Sequence, residues 1–160
     1  MITKNTVATN EGGTRELIIE RTYNAPREMV FNAWTDPVQF AKWWGPKDWT
    51  NPECELDARP GGKIHVMMTG PDGNGHPMGG TFHEISRYDR IVLATTAFKD
   101  EQGEYMIQNM ITIKFEDLGG KTKLTVHTIV QKAHESIQFA LAGMHMGWDQ
   151  SLDKLESLFA

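Results

Sequence analysis

Between Glu53 and Gln131 the chain alternates apolar and polar residues in six successive segments, separated only by short turns. Alternation with a period of two marks half-buried strands. The segments are 53–58, 63–69, 81–87, 91–98, 105–116 and 121–131. Turns are signalled by Pro60-Gly61-Gly62, by the GPDGNGHP loop at 70–77, by Tyr88-Asp89-Arg90 and by Asp117-Leu118-Gly119-Gly120. Such spacing favours an antiparallel meander over strand–helix–strand units. Ile64, Val66 and Met68 share one side of their segment, as do Ile111, Ile113 and Phe115, and Leu124, Val126 and Thr128. An antiparallel sheet with one apolar face needs a cover.

The cover is encoded at the C-terminus. Ile137, Leu141, Met144, Trp148, Leu152, Leu155 and Phe159 recur at steps of three and four, which is one helical stripe. A second ridge of small residues, Ser136, Ala140, Gly143, Gly147 and Ser151, runs beside it. A glycine in a helix interior costs about 1 kcal/mol relative to alanine. The ridge therefore implies either close backbone packing or room for a guest.

The N-terminal part supplies one strand and two short helices. Along Arg15–Tyr23, Leu17, Ile19, Arg21 and Tyr23 share a face. A guanidinium on an apolar face needs a carboxylate, and Asp57 and Glu84 are the expected partners in a structural ion pair. Pro26 suits the first helical position, and Val30, Phe31 and Trp34 give one helix face. Asp36 then caps a second helix, which Pro37 opens. Phe40, Trp43 and Trp44 have the spacing of one helix face, and Gly45-Pro46 ends the helix. The expected architecture is α+β: strand, two small helices, six-stranded meander and long C-terminal helix, with about seven strands in all. Residues 1–14 read as a flexible tail and 15–160 as one domain.

Composition excludes several function classes. The formal net charge is −5, with no cluster of Lys or Arg. Nucleic acid and anionic membrane surfaces both need a basic footprint and are not expected partners. No apolar run approaches the roughly 20 residues that span a bilayer, and MITKNTVATNEGGT lacks the apolar core of a secretory signal. Cys54 is the only cysteine, which suits a reducing, cytoplasmic location. It has no basic neighbour in sequence and reads as inert. None of the six histidines has the spacing of a metal site. His145 and Asp149 are four apart on the last helix and read as a solvated pair. GNGHPMGG opens no helix and lacks the ending of a phosphate loop, and no serine sits in a nucleophile elbow. No catalytic residue, metal or cofactor is expected.

The order βααββββββα resembles the helix-grip fold of the START-like superfamily, also called SRPBCC or Bet v-like. The motifs RTYNAPREMVFNAWTDP (21–37), KWWGP (42–46), ELDARPGG (55–62), GPDGNGHPMGGTFHEI (70–85) and GMHMGWDQSLDKL (143–155) are similar to those of the branch named for the activator of heat-shock protein 90 ATPase. The likeness runs from about residue 15 to 159. It implies a sheet wrapped around the C-terminal helix with a hydrophobic cavity between them. In the superfamily such cavities hold lipids, sterols, polyketides or plant hormones, and some members are cyclases.

With nine Met, seven Phe and five Trp, the interior is apolar and polarisable. Methionine adapts to irregular ligands, and tryptophan adds one N–H donor to a large contact area. The resemblance and this chemistry together suggest an unidentified apolar small molecule as ligand. The expected cavity lining is Trp43, Trp44, Met68 and Phe82, with Phe98, Met110, Met144 and Trp148. One of the paired indoles is expected in the core and the other at the entrance, with the glycine-rich hairpin loop as a lid. Alternative readings are an interaction module for a chaperone or another protein, and a cyclase or hydrolase using the same cavity. Either a monomer or a homodimer fits.

Overall fold

The computed structural model describes residues 3–9, 15–134 and 144–159. The strands are β1 (Thr3–Thr9), β2 (Arg15–Tyr23), β3 (Thr50–Leu56), β4 (Lys63–Thr69), β5 (Gly75–Ser86), β6 (Arg90–Lys99), β7 (Tyr105–Asp117) and β8 (Thr122–Ala133). The helices are α1 (Arg27–Thr35), α2 (Pro37–Trp43) and α3 (Met144–Ser157). The strands form one antiparallel sheet in the order β1-β2-β8-β7-β6-β5-β4-β3. The meander β3 to β8 pairs in chain order, and β2 closes beside β8. The two short helices carry the chain from β2 to β3 at the far edge.

Bulges at Thr50/Glu53, Phe82/Glu84 and Gln108/Asn109 interrupt the ladders. Bulges bend a strand and increase its twist, which curves this sheet towards the helices. Two glycines are fixed by close approach. A Cβ on Gly62 would lie 1.7 Å from the Asp57 carbonyl oxygen, and one on Gly80 would lie 2.1 Å from that of Ala94.

The structure corrects the sequence reading in three places. Residues 3–9 are a strand paired with β2, not part of a free tail; this adds an eighth strand. The expected lid is a tight hairpin turn, because β5 begins at Gly75 rather than Thr81. Asp72 accepts from the Asn74 backbone N–H and Nδ2, both at 2.9 Å, and Gly73 takes φ +84°. That geometry leaves no hinged flap. Third, β3 begins at Thr50, with Pro52 on an edge strand where a missing N–H is tolerated. For the last helix, Ser136, Ile137, Ala140, Leu141 and Gly143 lie outside the described residues. Gly147 faces Pro46, whose Cγ would be 3.6 Å from an added Cβ.

One main core cluster joins the inner faces of the strands to α1, α2 and α3. Ile91, Leu93 and Thr95 of β6 are buried, as are Ile111, Ile113 and Phe115 of β7. On β8 the buried row is Thr122, Leu124, Val126, Thr128 and Val130. Alternation thus sets one face of each central strand inward.

Candidate functional site between the sheet and the last helix

The tryptophan-rich segment is held by hydrogen bonds that follow from its prolines and helix ends. Pro37 has no N–H for the carbonyl of Ala33, four residues earlier. The Trp43 indole fills this gap, donating from Nε1 to Ala33 O at 2.8 Å. Asp36 caps α2 by accepting from the Val38 N–H at 3.1 Å. At the other end of α2, Gly45 takes φ +92° and stops the helix. The carbonyls left over there are satisfied from outside. Asn51 Nδ2 donates to Ala41 O and Trp44 O at 3.0 and 2.8 Å. The Lys154 ammonium on α3 lies 3.1 Å from Pro46 O and 3.4 Å from both Trp44 O and Trp49 O. Burial lowers its pKa from the ordinary lysine value. The Lys47 backbone N–H donates to Gln150 Oε1 at 3.0 Å. The WWGP turn is therefore fastened to α3.

This fastening builds an aromatic cluster from α1, α2 and α3. Trp34 meets Trp43 edge-on at 4.6 Å and stacks with Trp148 at 6.3 Å, with 23° between the planes. Trp44 stacks on Phe40 at 4.8 Å and meets Trp148 edge-on at 5.4 Å. Both members of the indole pair are buried, Trp43 at 0% exposure and Trp44 at 8%. The expectation of one core indole and one entrance indole is not what the structure shows. Their difference lies in hydrogen bonding, since Trp44 Nε1 has no partner among the described residues.

Phe82 and Met68 belong to the main core cluster, Phe82 buried and Met68 half-buried. Phe98 packs instead against Ile107 and Val130, and Met144 packs against both groups. Phe98 takes φ +57°, a left-handed conformation uncommon for a bulky side chain. Its ring lies 5.5 Å from His76, which is also 5.5 Å from Trp49. Met110 is displaced from the expected lining. In β7 the buried positions are Ile107, Ile111, Ile113 and Phe115, so alternation turns Met110 to the opposite face. Asn109 takes the inward position.

The expected ion pair is also corrected. Arg21 is 3% exposed and bonds to Asp149 Oδ1 at 3.0 Å and Asp153 Oδ1 at 2.5 Å, both on α3. Burial disfavours its charge, but hydrogen bonding to Asp153 and the surrounding electrostatics hold the guanidinium pKa above its usual value. Asp57 pairs with Arg59 at 2.7 Å in an exposed turn, and Glu84 pairs with Arg90 at 3.4 Å. The helix docks across β2 and brings its own carboxylates. Beside this pair, Tyr23 Oη donates to Leu152 O at 3.0 Å, and burial raises its pKa well above the ordinary tyrosine value.

Sequence reasoning missed the polar atoms of the interior. Trp34 Nε1, Trp44 Nε1, Asn109 Oδ1 and Thr128 Oγ1 are buried without a hydrogen-bond partner among the described residues. The signal was present: Thr128 shares its side with Leu124 and Val126, and Asn109 has the parity of Ile111 and Ile113.

Elsewhere, a cleft of about 330 Å³ opens between α1 and the β5–β6 turn, with Phe31, Asp36, Arg87 and Tyr88 in its wall. It contains none of the expected lining residues. No cluster of potential metal ligands occurs among the described residues. No described helix is long and apolar enough to cross a membrane. Burial raises the Cys54 thiol pKa from 9.0 to about 11. Such a shift leaves about 100-fold less thiolate at pH 8 than in an unperturbed thiol. Alkylation of Cys54 by iodoacetamide is expected to be correspondingly slow at pH 8 and to accelerate up to about pH 11. Because the folded pKa is the raised one, stability linked to this thiol is full below pH 9.0 and falls as pH rises towards 11. Rapid stoichiometric labelling at pH 7 would contradict this burial.

A curved antiparallel sheet closed by a C-terminal helix, with two short helices filling one end, defines a helix-grip domain of the START-like class. The family model described as Activator of Hsp90 ATPase homolog 1-like protein matches residues 24–160, and the chain belongs to that family. The chain is similar to a solution structure from Arthrobacter aurescens, at 25% identity and TM-score 0.78, over 94% of this chain and 88% of that one. It is also similar to a crystal structure from Chromobacterium violaceum, at 26% identity and TM-score 0.74, over 89% and 96% of the two chains. A Mycobacterium smegmatis structure shares the fold at 23% identity and TM-score 0.78, over 97% and 96%. Comparison with curated proteins finds no match.

Proposed function

We propose that this protein binds a largely apolar small molecule between its sheet and α3. The observation that carries the reading is that buried polar atoms of Trp34, Trp44, Asn109 and Thr128, among others, have no hydrogen-bond partner among the described residues. A finished core leaves few such groups, because each costs about 1–3 kcal/mol when it loses water without a substitute. Aromatic and methionine walls with a few polar groups are the usual make-up of a small-molecule site. Trp44, Trp148, Phe98 and Met144 serve as walls, with Met68, Phe82 and Trp43 as support behind them. The lone free Cys54 fits a cytoplasmic carrier or receptor.

Native mass spectrometry of the freshly purified protein tests this reading. The expected result is a reproducible extra mass of a few hundred daltons, on the order of a pocket-sized ligand, that disappears on denaturation. A clean polypeptide mass that persists after incubation with apolar metabolite extracts would overturn it.

A further inference from the structure

The cleft between α1 and the β5–β6 turn has two walls of different chemistry and an apolar floor. Its walls are held at a fixed spacing. Phe31 of α1 meets the Tyr88 ring edge-on at 5.3 Å, and Arg27, at the start of α1, pairs with Asp89 of the turn. Phe31, Ala58 and Ile85 supply the apolar surface.

On the sheet side stands Arg87. Three arginines surround this turn, and two of them have their acids: Arg27 pairs with Asp89, and Arg90 pairs with Glu84. No carboxylate among the described residues pairs with Arg87. Its guanidinium carbon lies 6.0 Å from the centre of the Tyr88 ring, a cation–π distance that holds the group beside the cleft. A guanidinium only donates, and its fork matches a carboxylate.

The helical side is mainly an acceptor. Asp36 accepts from the Val38 N–H at 3.1 Å and from Gln39 Nε2 at 3.0 Å. A carboxylate has about four lone-pair sites, so part of its capacity remains. Gln39 Oε1 accepts from no described residue. The Thr35 hydroxyl already donates to Phe31 O at 3.3 Å, which leaves it an acceptor. The Asn32 amide is exposed and bonds to no described residue. A negative charge and neutral acceptors thus line the helical wall, and an unpaired positive charge lines the other. The volume, about 330 Å³, is at the lower end for small-molecule sites.

We infer that this cleft is a second binding site, for a free amino acid with an apolar side chain. The carboxylate pairs with Arg87, the ammonium donates to Asp36 and its neighbours, and the side chain rests on Phe31, Ala58 and Ile85. The site shares no residue with the proposed interior site and does not depend on it.

Titration of the ¹⁵N-labelled full chain with L-leucine, N-acetyl-L-leucine and L-leucinamide tests it, read at the side-chain amide signals of Asn32 and Gln39. The second probe lacks the ammonium and the third lacks the carboxylate. L-leucine shifts both amides, and each blocked analogue binds about ten-fold more weakly, the scale of one charged contact. Arg87→Met keeps the stem and removes the charge. It weakens L-leucine about ten-fold and leaves L-leucinamide unchanged. Asp36→Asn keeps a good helix cap. It weakens L-leucine on the same scale and leaves N-acetyl-L-leucine unchanged. The inference fails if the three probes bind alike. It also fails if L-leucine moves neither amide at about 10 mM, ten times a weak-site Kd of about 1 mM. Shifts confined to the indole signals of Trp34 and Trp44 would place the amino acid in the interior and overturn it equally.

Discussion

Arg21→Ala destabilises the protein by about 3 kcal/mol, measured by urea denaturation. The side chain is 3% exposed and joins β2 to Asp149 and Asp153 of α3. Truncation removes the bridge between the sheet edge and the helix. It also takes the shared guanidinium away from two carboxylates and empties the volume of its stem. The effect sits at the lower end of the range for breaking a buried pair, because Asp153 is 64% exposed and can rehydrate. Asp153→Asn accordingly costs about 1 kcal/mol or less. Arg21→Met restores packing without charge and recovers part of the loss. A variant Arg21→Ala that unfolds at the native urea midpoint would remove the bridge from the account.

Trp43→Ala costs about 4 kcal/mol, the scale of a large aromatic deleted from a core. Trp43 is fully buried, with ring contacts at 4.6 Å to Trp34, 5.1 Å to Phe40 and 5.6 Å to Trp44. Its Nε1 also serves the Ala33 carbonyl that Pro37 cannot. The phenylalanine pair separates these contributions. Trp43→Phe loses a hydrogen bond and leaves Ala33 O unpaired, whereas Trp44→Phe removes an N–H that has no partner among the described residues. Trp43→Phe is therefore the more destabilising of the two by about 1 kcal/mol. Equal melting of the two variants would contradict the assigned bonding.

Local signals made most of the architecture legible. Asp36-Pro37 and Gly45-Pro46 bracket a helix because capping and chain geometry require it, and α2 spans Pro37–Trp43. The meander followed from period-two alternation and short turns. What escaped the sequence depends on how distant surfaces dock. Arg21 was recognisable as a buried charge needing a carboxylate. Which one it meets is set by the face of α3 that crosses β2, and no local pattern encodes that. Met110 was favoured for the interior by its chemistry, but parity assigns that place to Asn109. Thr128 shares the side of Leu124 and Val126 and is fully buried as that parity requires, whereas an Asn among apolar strand neighbours is easily read as outward-facing. The strand at 3–9 has no apolar alternation strong enough to announce it and depends on pairing with β2.

The central claim is that the unpaired indoles of the interior await a ligand. It is tested most directly by the indole N–H resonances of the five tryptophans, one per ring. These are recorded by ¹⁵N-correlated NMR during titration with 4-hydroxybenzophenone, an apolar probe that carries a carbonyl acceptor. The account predicts large shifts at Trp34 and Trp44 as their N–H groups gain an acceptor. The Trp43 resonance moves little, because its proton is already bonded to Ala33 O. Saturation of the protein with the Trp34 and Trp44 signals unmoved would contradict the account.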